Sequence, residues 1–120
     1  MKLYTMSTAT PTLDSVFGAL SDPTRRAMLQ QLSRGPAAVS DLARPLSLAL
    51  PAAMQHLRVL ESAGLIRSEK IGRTRTCRIE PAPLLQAERW IVGRRATWER
   101  RLDRLGTYLA GRDRNERTTS

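Results

Sequence analysis

Hydrophobic residues recur every three to four positions along the first third of the chain, which predicts amphipathic helices. The first helix is expected to begin at Thr12 or Asp14. The second is expected to begin at Asp22-Pro23, because aspartate is a favoured N-cap and proline fits the first helical position, and to run to about Ser33. The expected buried positions of the two helices are Leu13, Val16, Phe17, Leu20, Ala27, Met28, Leu29 and Leu32.

Two helices joined by a tight turn are predicted between Val39 and Ile66. Ser40 is expected to cap the first of them. The second is expected to run from about Leu50 to Ala63 and to end at Gly64. At about 100° per residue its core side consists of Leu50, Ala53, Leu57 and Leu60. Its outer side consists of Ala52, Gln55, Val59 and Ser62, flanked by His56 and Arg58.

The segments 65–71 and 74–79 are predicted to be strands around a Gly72-Arg73 turn. A last helix is expected from about Ala82 to Ala110. Its apolar residues recur at intervals of three, four and seven, which is coiled-coil spacing, and a monomer of this size cannot bury such a stripe alone. A homodimer is therefore expected, with this helix contributing Leu84, Ile91, Trp98, Leu102, Leu105 and Leu109.

Helix, turn, helix and a basic hairpin form the layout of a winged helix-turn-helix DNA-binding domain. The predicted fold is mainly α with a small β-hairpin, in the order of four helices, two strands and a fifth helix. We expect a flexible segment over 1–11, one DNA-binding and dimerisation domain over 12–110, and a disordered polar tail over 111–120.

The charge balance indicates a polyanionic partner. Twenty Lys and Arg residues against 11 Asp and Glu give a net charge of +9, and all but Lys2 and Lys70 of the twenty are Arg. Nucleic acid, an anionic membrane or an acidic protein would each attract such a chain. Arginine forms paired hydrogen bonds with phosphate and guanine, which favours nucleic acid over a merely solvated surface. The expected partner is double-stranded DNA, and no membrane partner is expected.

Several classes of function find no support in the sequence. The single Cys77 allows no internal disulfide, and with no apolar run and no signal peptide a cytoplasmic location is expected. One Cys and one His cannot build a soft-metal site within a subunit. We find no nucleophile–base pair and no glycine-rich phosphate loop, so neither an enzyme nor a cofactor is expected.

Four stretches carry a resemblance to a known family: LDSVFGALSDPTRRAMLQQLSRG (13–35), VSDLARPLSLALPAAMQHLRVLESAGLI (39–66), GRTRTCRIEPAPL (72–84) and ERRLDRL (99–105). They resemble the ArsR/SmtB family of bacterial winged-helix repressors, and the PAPL and WERRLDRL motifs look like the branch that lacks metal sites. The resemblance implies a homodimer joined through the first and last helices, which adds Leu13, Val16 and Phe17 to the interface.

The same resemblance implies a recognition helix in the major groove and a wing on flanking phosphates or in the minor groove. The family's recognition helix often reads SLPAVSKHL, whereas this chain has Ala49, Met54 and Gln55 in place of the two Ser and the Lys. The DNA-binding residues are expected to be Ser40, Pro51, Ala52, Gln55, His56, Arg58, Val59, Arg67, Lys70, Arg73, Thr74 and Arg75. Alternation along the strands is expected to place Arg67 beside Arg73 and Arg75.

Less specific interpretations stand beside these. Gln55 can be a solvated helix residue, His56 a structural residue bonded to a neighbouring helix, and the basic hairpin an edge strand kept soluble by charge. Cys77 is interpreted as a buried strand residue rather than a thiol switch. An unknown small-molecule effector between subunits is a further hypothesis, with the pocket lined by Trp90, Phe17 and Tyr108.

The function expected from the sequence is a sequence-specific transcriptional regulator, a dimeric repressor that can act on its own gene. Gln55 would pair with adenine, and Arg73 and Arg75 would contact phosphates. The alternative is a non-specific architectural nucleic-acid-binding protein, because Ala52 and Met54 offer no polar group to bases. A protein-binding module built on a winged helix is a third possibility.

Overall fold

The computed structural model describes the backbone of residues 11–119 and the side chains up to Arg112. Five helices and three strands follow one another along this part of the chain: α1 Leu13–Leu20, α2 Pro23–Leu32, β1 Ala37–Ala38, α3 Val39–Ala43, α4 Leu50–Ser62, β2 Ile66–Ile71, β3 Thr74–Ile79 and α5 Pro81–Thr119, with a 3-10 helix over Arg44–Leu46 between α3 and α4. The predicted class, mainly helical with a small antiparallel sheet, is confirmed. The flexible segment predicted over 1–11 falls almost wholly outside the described residues.

The first two helices begin at the predicted capping residues. At α1 the Ser15 N–H donates to Thr12 Oγ1 at 3.1 Å, and the Thr12 N–H donates to Ser15 Oγ at 3.0 Å. This reciprocal pair satisfies two N–H groups that the helix itself leaves without partners. At α2 the Arg25 N–H donates to Asp22 Oδ2 at 3.0 Å, and Pro23 occupies the first helical position.

The start of α3 differs from the prediction. Its N-cap is Ala38, and Ser40 lies inside the helix, so the prediction that Ser40 caps it was wrong. The cause is β1, where Ala37 pairs with Cys77 and Ala38 with Thr76 of β3, so the chain passes from strand directly into helix. A strand of two residues has no periodicity that the sequence could reveal.

A tight turn separates α3 from α4. Ser47 has a φ of 53°, the one positive φ among the non-glycine residues that the structure describes. The Leu48 N–H donates to the Ala43 carbonyl at 3.1 Å and closes the turn. Pro51 lies in the first turn of α4, where a missing N–H leaves no hydrogen bond unmade. The helix-turn-helix predicted from the sequence is thus present.

The core lies between α1–α4 and the inner face of the sheet. Its larger members include Met28, Leu32, Leu42, Leu60 and Leu65, all 2% exposed or less. Val16, which the sequence placed at the dimer interface, is also in this core at 2% exposure. It therefore has almost no surface to offer a partner, whereas Leu13 and Phe17 are only half-buried against the core.

Gly64 makes the sharp exit from α4 possible. Its φ of 75° lies in the left-handed region, as expected for the residue after a helix end. A Cβ at this position would lie 2.5 Å from Cγ of Pro11, so the close approach of the two segments also requires glycine. Leu65 and Ile66, both fully buried, follow at once, and Ile66 is the first residue of β2.

The three strands form an antiparallel sheet in the order β1-β3-β2. Within the β2–β3 hairpin, Arg67 is opposite Arg78 and Lys70 is opposite Arg75. Gly72 has a φ of 64° in the two-residue turn, as a tight hairpin needs. This hairpin is the predicted wing.

The chain forms two compact units that divide within α5. The winged unit comprises the described residues up to Ala87, and the helical unit begins at Glu88. The last helix was predicted to end near Ala110, which was too early, because α5 continues to Thr119. No proline follows Pro83 in the sequence, so no residue forces the backbone out of the helix there. The division into segment, domain and tail stays a prediction.

Candidate nucleic-acid interface

The outer face of α4 is accessible in the winged unit. Gln55, Arg58 and Val59 are exposed, whereas Ala53, Leu57 and Leu60 on the opposite side are buried. The predicted division of the helix into two sides is therefore confirmed for these positions. Of the other positions named as DNA contacts on or near this helix, Ser40 and Pro51 are exposed and Ala52 is half-buried.

Leu50 departs from the prediction. It was assigned to the core side of α4, but 55% of it is exposed. Leu50 is the first residue of the helix, about one turn before Ala53 and two turns before Leu57, and so lies beyond the edge of the core. Angular position around the helix placed it with the core, and only the tertiary structure shows where along the axis the packing begins.

His56 is connected to the beginning of α2. Its Nδ1 lies 3.4 Å from Arg25 Nη1 and 3.9 Å from Asp22 Oδ2. The guanidinium is only a donor, so Nδ1 accepts and the ring proton of the neutral imidazole lies on Nε2. The side chain is half-buried, so it has both the structural bond to another helix and some exposed surface.

Arg25 also binds the end of α1. Its Nε donates to the Ala19 carbonyl at 2.7 Å and its Nη2 to the Gly18 carbonyl at 3.2 Å. These carbonyls belong to the last turn of α1, where the usual partners four residues on are missing, and that of Gly18 also accepts from the backbone N–H and the hydroxyl of Ser21. One guanidinium therefore links α1, α2 and the recognition helix. Sequence reasoning missed this residue, because its partners lie 6, 7 and 31 positions away.

The hairpin register separates its cations into two groups. Residues directly opposite in an antiparallel pair share a face, so Lys70 and Arg75 are on one face and Arg67 and Arg78 on the other. The prediction that Arg67 lies beside Arg73 and Arg75 is therefore wrong. The error came from counting alternation through the turn without knowing the pairing register. Arg67 instead forms an ion pair with Glu80, with Nε 3.2 Å from Oε1.

The face that carries Arg75 turns toward α4. Arg75 Nη1 donates to Ser68 Oγ at 2.9 Å, and the Ser68 hydroxyl donates to Oε1 of Glu61, near the end of α4, at 3.0 Å. Neither Ser68 nor Glu61 was identified from the sequence, because the chain of bonds crosses strand and helix. The contact orients Arg75 beside the cleft between helix and wing.

The cations of α4 and of the wing near this cleft are solvent-exposed side chains. Arg58 on α4 and Lys70, Arg73 and Arg75 on the wing are all exposed, as is Thr74 at the start of β3. Exposed cations of this kind supply long-range attraction for a polyanion and contribute little to fold stability. Their proximity on one unit is the property that a DNA-binding surface needs.

Cys77 is fully buried in β3 between β1 and β2. Burial raises the pKa of its thiol, and the nearby Glu61 carboxylate adds to this effect. The neutral thiol is therefore favoured at neutral pH, in agreement with the interpretation of Cys77 as a packed strand residue.

The helical unit exposes most of its apolar side chains. Ile91, Trp98, Leu102, Leu105 and Leu109 are between 48% and 64% exposed and recur along one line of α5. Such a continuous stripe on one helix is unusual for a surface that stays in water. In the same unit the guanidinium carbon of Arg94 lies 5.3 Å from the centre of the Trp90 ring.

Among the residues that the structure describes, no three His, Cys, Asp or Glu side chains are grouped closely enough to hold a metal ion. In the same part of the chain no helix is both long and apolar enough to cross a membrane.

The helix-turn-helix, the hairpin wing and the basic surface define a winged helix-turn-helix protein, a class of DNA-binding transcriptional regulators. A family model described as a helix-turn-helix domain matches residues 20–69. The HTH-type transcriptional regulator Rv2034 of Mycobacterium tuberculosis is 42% identical over 59% of this chain and 66% of its own length. The transcriptional repressor SdpR of Bacillus subtilis is 34% identical over 51% of this chain and 68% of its own length.

Solved structures agree with this assignment. The crystal structure of an ArsR family transcriptional regulator has a TM-score of 0.68 and 52% identity, covering 72% of this chain and 90% of that one. An ArsR-like transcriptional regulator from a Rhodococcus species has a TM-score of 0.67 and 39% identity, covering 78% and 88%. The chain belongs to the ArsR family of winged helix-turn-helix transcriptional regulators. It spans about two thirds of the length of the curated relatives Rv2034 and SdpR.

Proposed function

We propose that this regulator is a sequence-specific, dimeric repressor that binds its operator with α4 in the major groove and the wing on flanking backbone or in the minor groove. One observation carries the proposal. Arg58, on the exposed outer side of α4 that also presents Gln55, lines one cleft with Arg75 of the wing. Lys70 is opposite Arg75 in the same hairpin, and Arg73 lies in its turn. A helix with small side chains fits the major groove, and neighbouring cations fit the phosphates.

The residues have different roles in this proposal. Gln55 pairs with adenine through its side-chain amide, and Val59 contacts apolar groups in the groove. Arg58, Lys70, Arg73 and Arg75 contact phosphates, which position the protein without reading sequence. The further contacts proposed are those of Ser40, Pro51, Ala52, His56 and Thr74. Arg67, which was also expected to contact DNA, is not included, because it is on the other face of the hairpin and is paired with Glu80.

Dimerisation is proposed to use the stripe on α5. Leu102, Leu105 and Leu109 are about half to two thirds exposed and follow coiled-coil spacing, so a second copy would remove them from water. A relative from Mycobacterium bovis, 28% identical, is described as a homodimeric winged helix-turn-helix DNA-binding domain. That description supports two copies for this chain, joined by α5 together with Leu13 and Phe17 of α1.

Repression is proposed by analogy with SdpR, which is named a transcriptional repressor. A dimer that covers a promoter excludes other proteins from it. The gene of the protein itself is the first candidate target. A small-molecule effector bound near Phe17, Trp90 and Tyr108 stays a hypothesis.

The test is a comparison of two duplexes across a salt series, one from the region upstream of the gene and one scrambled. We expect a preference for the upstream duplex of about 10³-fold or more at fixed salt. Affinity should fall linearly with the logarithm of salt concentration, because phosphate contacts release counterions. The variant R73A/R75A should weaken both duplexes alike, and R34A, which changes an exposed arginine after α2, should bind as the wild type does.

Two outcomes would contradict the proposal. Equal affinity for all duplexes, including a pool of random genomic fragments, would support an architectural nucleic-acid-binding protein. Unchanged binding by R73A/R75A would mean that the wing does not contact DNA.

Footprinting of a preferred duplex should show two half-sites about one helical turn apart.

A further inference from the structure

Leu50 is a large apolar residue in an unexpected place. It is the first residue of α4 and is 55% exposed, on a protein whose neighbouring surface is basic. In a helix-turn-helix the N-terminal residues of the recognition helix are those that contact base edges. We infer that Leu50 contacts the C5-methyl group of thymine, so that each operator half-site contains a thymine recognised by apolar contact. This inference rests on the proposed function.

The first turn of α4 has little capacity for hydrogen bonding. Ala49 and Leu50 have no polar side-chain atoms, and Pro51 also lacks an N–H. This turn therefore has no side chain with which to recognise bases by hydrogen bonds. The C5-methyl of thymine is the apolar group that bases display in the major groove. Contact between Leu50 and that methyl removes apolar surface of both partners from water.

The charges around Leu50 favour DNA over a second copy of the chain. Leu50 lies one helical turn before Met54. Met54 lines the cleft between α4 and the hairpin together with Arg58 and Arg75. These cations attract a polyanion and would repel the same surface of another copy. An apolar residue beside cations therefore matches the major groove, where methyl groups lie between two rows of phosphates.

The experiment begins with the full-length protein and a duplex selected from a random library by repeated binding. Each thymine of the selected half-sites is then replaced by uracil, which removes only the C5-methyl. At one position per half-site we expect affinity to fall by about fourfold for each methyl group buried. Uracil placed outside the protected region serves as the control and should have no effect.

The protein variants assign this effect to Leu50. In L50A the thymine and uracil duplexes should bind equally well, whereas L50M, which keeps a long apolar side chain, should retain most of the difference. L85A removes an exposed apolar residue that is outside α4 and the wing, and it should leave the response at that position unchanged. Thermal unfolding of L50A should resemble that of the wild type, because Leu50 lies largely outside the core.

The outcomes separate the inference from the proposed function. A library that yields no preferred sequence overturns both. A preferred sequence whose affinity does not respond to uracil, or responds equally in L50A, overturns the thymine contact and leaves the regulator intact. If L50A instead weakens self-association, Leu50 faces a second copy and the inference is wrong.

Discussion

Arg25 connects three helices through a single side chain, and this makes a specific prediction for His56. Because Arg25 Nη1 donates to Nδ1, the neutral imidazole should carry its proton on Nε2. The chain has one histidine, so nitrogen NMR of the imidazole has a single source. We expect wild-type protein at high pH to show the Nε2–H tautomer almost exclusively.

The variant R25M should remove this preference. It should also lower the free energy of unfolding by about 1–3 kcal/mol, because the carbonyls of Gly18 and Ala19 lose a charged donor. The matched control is R26M, since Arg26 donates to the Leu20 carbonyl and not to His56. An unchanged tautomer ratio in R25M would show that Arg25 does not position the ring.

Asp22 gives a prediction about acid stability. The Arg25 backbone N–H donates to its carboxylate and holds the pKa of Asp22 below its ordinary value of 3.8. A lowered pKa means that the carboxylate stabilises the fold above pH 3.8 and that this stabilisation is lost as pH falls through the lowered value.

The variant D22N keeps a good capping acceptor but does not titrate. Urea unfolding should therefore give the wild type a higher free energy of unfolding than D22N at pH 7, and this difference should shrink by pH 2. A constant difference between the two proteins across this range would mean that Asp22 is not stabilised as a carboxylate.

At the residue scale, the sequence predicted local features well. The caps at Thr12 and Asp22 and the glycine at 64 act within a few positions of themselves, so short motifs are sufficient to identify them. Arg25, Ser68 and Glu61 were not identified, because each acts through a partner on another element. The burial of Val16 and the exposure of Leu50 could not be predicted, because the helical period does not show where along each helix the core begins and ends.

The wing is the element whose two faces should differ in function. Arg75 shares a face with Lys70 and is bonded through Ser68 to α4, whereas Arg78 lies on the other face opposite Arg67. If the first face contacts DNA, R75A should reduce the slope of log affinity against log salt by about 1. R78A is the matched control and should change the slope by much less.

The bond network around Arg75 makes the test more specific. S68A leaves the charge of Arg75 in place but removes the link to Glu61. It should weaken affinity without changing the salt slope, since the number of phosphates contacted stays the same. Equal slopes for R75A and R78A would count against the assignment of faces.

At the element scale, existence and type of the helices and strands were predictable, because hydrophobic periods of 3.6 and 2 are visible in the sequence. Two features were not. Strand β1 has only two residues, and the pairing register of the hairpin depends on hydrogen bonds between strands. The error over Arg67 follows directly from the missing register.

The whole molecule is expected to be a dimer held by α5. The variant L102Q/L105Q replaces two exposed leucines of the stripe by polar residues. Sedimentation should show the wild type as a dimer and this variant as a monomer at micromolar concentration, because the apolar seam is interrupted. V92Q is the control, since Val92 is equally exposed but lies about 105° around the helix from the stripe.

Loss of the dimer should also weaken operator binding by far more than it weakens binding to non-specific DNA, because two half-sites are then no longer bound together. A variant that stays dimeric would place the interface elsewhere. For the dimer interface, the family resemblance was more informative than hydrophobic periodicity. In a single chain such an interface is recognisable only as a set of exposed apolar residues.

The cations of the proposed DNA-binding face also limit how the cell could change the affinity of this face for DNA. Of Arg58, Lys70, Arg73 and Arg75, three carry guanidinium groups rather than amines. Among these four residues, acetylation of amines can remove a charge only from Lys70. The affinity of this surface for phosphate is therefore nearly fixed by composition, and acetylation can lower its charge by only one.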